Sequence, residues 1–281
     1  KTDTGEAEAA PSGHGFDAPL AVPDSAVEVE ACARCHARRA PLGDGFDHRH
    51  RLLDDYLPAL LTEGLYHADG QILDEVYEYG SFLQSRMYQA GVTCSDCHEP
   101  HSAGLRRTGN DLCAQCHLPA KYDGPQHHFH AAGTEAARCV SCHMPERLYM
   151  VIDGRRDHSL RVPRPDLSVT LATPNACTQC HANQSARWAA DAVARWYGAE
   201  RRQGWHWAEA IHAGRSWQVD AESQLVRAAT DPTVPAIARA TALSLLPAYL
   251  SPGSVPAVET SLHDPDPLVR RAAATALRVL D

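Results

Sequence analysis

Residues 94–102 read CSDCHEPHS: two cysteines three apart, a histidine directly after the second, and another histidine three further on. The same core recurs as CARCH (Cys32 to His36), CAQCH (Cys113 to His117), CVSCH (Cys139 to His143) and CTQCH (Cys177 to His181). All ten cysteines of the 281-residue chain fall in these five runs. An even count would suit a disulfide framework, but nothing in such a framework requires histidine after every pair. Zinc is the stronger rival. Cys94/Cys97 and Cys113/Cys116 are separated by fifteen residues, a zinc-ribbon spacing.

The following histidine separates these readings. Histidine fills 17 of the 281 positions, so five hits in five by chance have odds on the order of one in a million. Zinc ribbons do not need that residue, whereas c-type haem attachment does: the cysteines bond the two vinyl groups and the next imidazole meets the iron. The chain is therefore expected to carry five covalently bound haem c groups. Their thioether residues are Cys32, Cys35, Cys94, Cys97, Cys113, Cys116, Cys139, Cys142, Cys177 and Cys180. Their proximal iron ligands are His36, His98, His117, His143 and His181. Five porphyrins also account for a lean apolar set, with 6% aromatic residues and a 44% hydrophobic fraction rich in alanine. Attachment of this kind is made outside the cytoplasm, which predicts an exported protein, periplasmic or extracellular.

Twelve histidines remain for the sixth positions. His101, three residues after His98, cannot swing to the far face of its own haem but can reach a neighbouring one. His14 sits in a Gly/Pro/Ala-rich stretch, and His206, His212 and His263 fall in a helical C-terminal region. That leaves His48, His50, His67, His101, His127, His128, His130 and His158. Met144 directly follows His143, while Met87 and Met150 lie beside tyrosines and read as packing. Two-histidine ligation is the default, with lower potentials than His/Met. The expected distal ligands are His67, His101, His158 and two of the cluster HHFH, taken as His128 and His130. Arg38/Arg39, Arg106/Arg107, Arg155/Arg156 and Arg161/Arg164 flank the motifs as partners for haem propionates, or as solvated surface charge.

A formal charge of −9 argues against nucleic acid as a partner. No run of eighteen apolar residues is present, so no transmembrane helix is expected. The start at Lys1, without methionine or a visible signal peptide, is that expected of a processed or trimmed product. Residues 1–30 are expected to form a flexible leader, 31–198 a pentahaem domain, and 199–281 a HEAT-like helical repeat domain. In QSARWAADAVARWYG, Trp188, Ala192 and Trp196 share a helical face that could close the haem domain. Further on, TALSLL (Thr241 to Leu246) returns as TALRVL (Thr275 to Leu280) thirty-four residues later. Asp231-Pro232 and Asp264-Pro265 precede the two phrases. Paired helices of an α-solenoid make such a repeat, and an ordinary helical bundle is the alternative. Asp281 follows straight after an apolar helix, so the array is expected to be truncated before its polar cap. The fold class expected is mainly α with extensive loop, a multihaem cytochrome c domain followed by a short α-solenoid.

RMYQAGVTCSDCHEPHS, GNDLCAQCH, CVSCHMP, RRDHSLRVPRPDLS and TPNACTQCH together resemble bacterial multihaem c-type cytochromes of the doubled-CxxCH type, with HEAT or TPR repeats after the haem domain. The resemblance covers roughly residues 32 to 198, and DPDPLVRRAAATAL is similar to the first helix of a HEAT repeat. A more distant similarity runs to haem-packing cytochromes that accept electrons from hydroxylamine oxidation and to multihaem nitrite reductases. The resemblance implies electron transfer between redox protein partners through stacked haems, with the helical repeats offering a docking surface. An oxidoreductase acting on a small nitrogen or sulfur compound at one open haem is the alternative. The CxxCK motif that marks the catalytic haem of the nitrite reductases is replaced here, since all five motifs end in histidine. A third reading is an extracellular haem filament, a homo-oligomer whose neighbours supply distal histidines. An electron-transfer protein rather than an enzyme is the expectation.

Overall fold

The computed structural model describes residues 25–43, 50–202 and 204–278. The leader up to residue 24 with His14, His48, and the end of the second repeat phrase from Val279 lie outside the described residues. The fold is mainly helical. Two short antiparallel ladders interrupt it, Arg39–Pro41 with Tyr56–Pro58 and Glu146–Tyr149 with Asp153–Arg156.

Around the cysteine motifs the helices are single turns, such as Arg86–Gln89, Cys94–Cys97, Pro125–His128, Cys139–His143 and Ala176–Cys180. A helix this short gains too few hydrogen bonds to offset its nucleation cost, so its ends must hold it. Ser85 Oγ accepts from the Tyr88 N–H at 3.0 Å. Thr93 donates its N–H to Asp96 Oδ2 at 2.8 Å, and Asn175 Oδ1 accepts from the Thr178 N–H at 3.1 Å. Thr93 and Asn175 stand one and two residues ahead of Cys94 and Cys177, so the caps are the start signals of the second and fifth motifs.

The C-terminal part is built differently. Helices Trp207–Arg215, Ala221–Thr230, Ala236–Leu245, Val255–Ser261 and Pro267–Leu277 bury Ile211, Leu225, Ile237, Leu243, Val258 and Val269, with alanines at the close crossings. Ala236–Leu245 packs against Trp207–Arg215, Ala221–Thr230 and Pro267–Leu277. The aspartates of the repeated turns punctuate the chain physically. Asp231 Oδ1 accepts from the Thr233 N–H at 2.8 Å, and Asp266 Oδ1 caps the last helix through the Leu268 N–H at 2.8 Å. Arg239 pairs with Asp264, tying the helix of one phrase to the turn before the next.

One apolar cluster crosses the chain. Leu61, Tyr66, Ile72, Val76 and Tyr149 join Ile211, Leu225, Ile237 and Leu243 in a single core. The Leu61 N–H donates to Thr241 Oγ1 at 3.1 Å, and Arg215 reaches the Tyr66 carbonyl at 3.0 Å. Gly70 lies at this seam with φ +80°, where a Cβ would meet Gln84 Oε1 at 2.0 Å and Trp207 at 2.8 Å. The stretch between Leu83 and Tyr149 is the opposite. Apart from Ala137, Pro145 and Gly124 it buries no apolar residue among the described residues, although it carries three of the five motifs. Polypeptide alone buries too little there to offset the entropy of ordering it, so an apolar body other than side chains must supply the core.

Candidate haem sites

Each motif coils its cysteines onto one turn and returns its histidine to the first of them. His98, His117 and His181 donate their N–H groups to the carbonyls of Cys94, Cys113 and Cys177, each at 2.9 Å. His98 leaves its turn in an extended conformation, φ −106° and ψ 147°, which separates the imidazole from the two sulfurs. No disulfide joins any of the ten cysteines. Among the described residues no three Cys, His, Asp or Glu side chains gather as a metal-holding cluster, the arrangement a zinc ribbon would need.

The motifs follow one another in space in their order along the chain. Cys32 lies beside Cys94, and Cys113 beside Cys139. Burial pushes the Cys97 thiol up, with Asp96 and then nearby Cys116 adding to the effect. Burial also pushes Cys142 up to about 11, with nearby Cys177 and Cys180 adding to the effect. First to second, second to third, third to fourth and fourth to fifth, the cysteine pairs form a continuous string.

Three of the motif histidines each face a second imidazole. His98 and His158 have ring centroids 6.3 Å apart with planes 28° from parallel. His143 and His127 are 6.1 Å apart and 7° from parallel, and His181 and His130 are 6.3 Å apart at 33°. Too far for contact stacking, these separations match two imidazoles sharing a metal. With metal–nitrogen bonds of about 2 Å on either side and the nitrogen about an ångström from its ring centre, the centroids should lie roughly 6 Å apart. The other ring nitrogens are anchored. His143 Nδ1 meets the Arg161 carbonyl at 2.8 Å and His158 Nδ1 the Arg156 carbonyl at 2.9 Å, while His130 Nδ1 bonds the His128 carbonyl. The Ala103 backbone lies near the His98 ring. With Nδ1 so engaged, Nε2 is the nitrogen that iron can take. Burial lowers the pKa of both His98 and His143, favouring the neutral imidazole that a metal requires. The cysteine pairs, the facing imidazoles and the missing side-chain core all fit haem.

The helix Ala186–Tyr197 locks the last two of these sites. Trp188 lies against His181 at 4.8 Å, and Trp196 stacks on Phe129 and meets His130 edge-on at 6.3 Å. The Tyr197 hydroxyl donates to the His127 carbonyl and lies 3.3 Å from His127 Nδ1.

The remaining histidines stand elsewhere. His36 Nδ1 lies 3.0 Å from Glu78 Oε2. His117 meets Tyr122 edge-on at 5.6 Å, and Tyr122 in turn meets His127 edge-on at 5.4 Å. His67 Nε2 is buried without a hydrogen-bond partner, and burial lowers the pKa of its ring. His101, expected as a distal ligand, is three-quarters exposed and lies 3.0 Å from Glu99 Oε1. That bond, with two from Ser102, pulls the Glu99 carboxyl down to about 2. His128 accepts the His130 N–H at 3.2 Å, and His50 lies 3.2 Å from Asp55. Of the distal set expected from sequence, His158 and His130 stand opposite motif histidines. His127, not singled out beforehand, is the member of HHFH that faces His143. Several flanking arginines are engaged within the protein, Arg164 with Asp166 at 2.6 Å and Arg161 with Asp157 at 3.5 Å.

Residues 88–122 match the family described as the doubled CXXCH motif, which spans the second and third runs and supports covalently bound haem c there. A search of curated proteins finds no match. Among solved structures the chain is similar to the outer cell wall cytochrome OcwA, with 17% sequence identity and a TM-score of 0.44 over 89% of this chain. The chain spans 64% of the length of that cytochrome. No helix among the described residues is long and apolar enough to cross a membrane.

Proposed function

We propose that the chain is an exported pentahaem c-type cytochrome that passes electrons between redox proteins through a series of haems ordered as the motifs are ordered. The observation that carries this reading is the set of facing imidazole pairs at 6.1–6.3 Å, each joining a motif histidine to a histidine from elsewhere in the chain. Bound haem supplies one-electron iron chemistry. The chain's own residues attach it, present its axial nitrogens and exclude water from its faces.

His158 is assigned to the haem of Cys94 and Cys97, His127 to that of Cys139 and Cys142, and His130 to that of Cys177 and Cys180. His67, with its partnerless buried Nε2, is assigned as a further iron ligand. His101 stays with Glu99 on the surface. Two strong ligands close an iron to substrate, which favours conduction over catalysis at these three haems. The acidic chain would attract a basic partner, and the helical part, read as HEAT-like repeats, offers it a surface.

A second reading, an oxidoreductase acting at one haem, is favoured by His117, whose ring meets Tyr122 edge-on. Haem stoichiometry with electron paramagnetic resonance of the oxidised protein separates the two. Five haems, all low-spin, are expected. A high-spin haem whose signal changes with nitrite or hydroxylamine would favour the oxidoreductase.

A further inference from the structure

His36 differs from the other proximal histidines in what holds it. The His143 Nδ1 meets a main-chain carbonyl, that of Arg161, at 2.8 Å. His36 is the one proximal histidine, among the described residues, whose Nδ1 meets a carboxylate, Glu78 Oε2 at 3.0 Å. Glu78 is itself fixed. Its carbonyl accepts the Phe82 N–H at 2.9 Å, which starts the turn Tyr79–Phe82. Its second oxygen lies 3.7 Å from Arg155, whose guanidinium stacks over the Tyr149 ring at 4.8 Å. Tyr149 is anchored in turn by the N–H groups of Val76 and Tyr77.

An imidazole that donates Nδ1–H to an anion becomes a stronger donor through Nε2 than one bonded to a neutral carbonyl. Stronger donation stabilises ferric over ferrous iron and lowers the potential. The first motif is also the end of the string, adjoining the second through Cys32 and Cys94.

On the reading that these motifs carry haem, we propose that Glu78 is a positioning residue that makes the haem of Cys32 and Cys35 the lowest-potential of the five. An electron on that iron then passes downhill to the ferric haem of the second motif, the first being oxidised as the second is reduced. The driving force at that end of the string then runs from the first motif to the second.

The test is potentiometric titration of the full haem-loaded protein at fixed pH, with haem counts and electron paramagnetic resonance on each sample. Glu78→Gln keeps the shape and removes the charge. It is expected to retain five low-spin haems and to move the lowest-potential component upward while the others stay. Glu78→Asp should restore part of the low potential. Arg155→Gln, which removes the neighbouring cation, should move the same component further down, and it keeps the test open if Glu78→Gln fails to assemble. His158→Met, His127→Met and His130→Met each raise one other haem and so identify the remaining components. A lowest component that stays in place in Glu78→Gln and Arg155→Gln, or that moves instead with one of the methionine variants, overturns the proposal. Fewer than five haems in the unaltered protein would overturn the cofactor reading itself, a separate result.

Discussion

Phe129 lies flat on Trp196, with ring centroids 4.5 Å apart and planes 3° from parallel. Phe129 sits in the left-handed region, φ +56°, at the end of the turn Pro125–His128. A bulky residue in that region needs a compensating contact, and the Trp196 face provides it. The two histidines on either side, His127 and His130, face different motifs. Trp196→Ala is therefore expected to disturb two haems at once. Electron paramagnetic resonance should show high-spin iron from two haems in this variant, but from one in His127→Ala and one in His130→Ala. A single altered haem in Trp196→Ala would break the link.

The stretch between Leu83 and Tyr149 should depend on its cofactors. Produced in a host compartment that does not attach haem, the chain is expected to be cut by protease between Cys94 and Cys142. The helices from Trp207 to Leu277, with their own buried leucines and alanines, should resist. Equal resistance of both parts would mean that polypeptide alone orders the motifs.

Arg239 and Asp264 are each about one-tenth exposed, and their pairing joins two of the C-terminal helical segments. Removing one partner of a buried pair strands the other's charge, at a cost of roughly 3–5 kcal/mol. Asp264→Ala is expected to lower stability at the upper part of that range's order, measured by urea unfolding, while the haem absorption spectrum of the folded protein stays unchanged.

Burial holds the His206 imidazole down at about 4, with Arg164 adding to the effect, while its Nδ1 caps a helix through the Ala208 N–H at 3.1 Å. The unfolded chain takes up that proton near pH 6.5 and the folded chain does not until about 4. More protons are bound by the unfolded state in this window. Stability therefore falls as pH drops from about 6.5 toward 4, by at most about 1.4 kcal/mol per pH unit from this group. His206→Asn keeps a capping oxygen and removes the titration. Unfolding curves across that pH range should be flatter for the variant, and identical slopes would discount the histidine.

The motif cysteines and their histidines are legible in sequence because one helical turn contains the whole unit. The imidazoles that face them are not local. His158 lies sixty residues beyond His98, and His127 precedes His143 by sixteen. His127 and His128 are neighbours of the same type, and what sorts them is the left-handed step at Phe129, fixed by Trp196 far along the chain. His101 has the reach for a neighbouring haem on spacing alone, yet Glu99 two residues before it takes the ring. In the C-terminal part, the repeated Asp-Pro turns and apolar period read directly as helices. The joining of Leu61 and Tyr66 to that same core rests on contacts across more than a hundred residues, which no local pattern encodes.

Because His127 and His130 lie three residues apart yet face two different motifs, that short segment acts as a ruler between the fourth and fifth sites. On the proposed reading, electron tunnelling falls off exponentially with separation, so the length of that segment sets how readily the two haems would exchange an electron. One residue inserted between His127 and His130 is therefore expected to reset that gap.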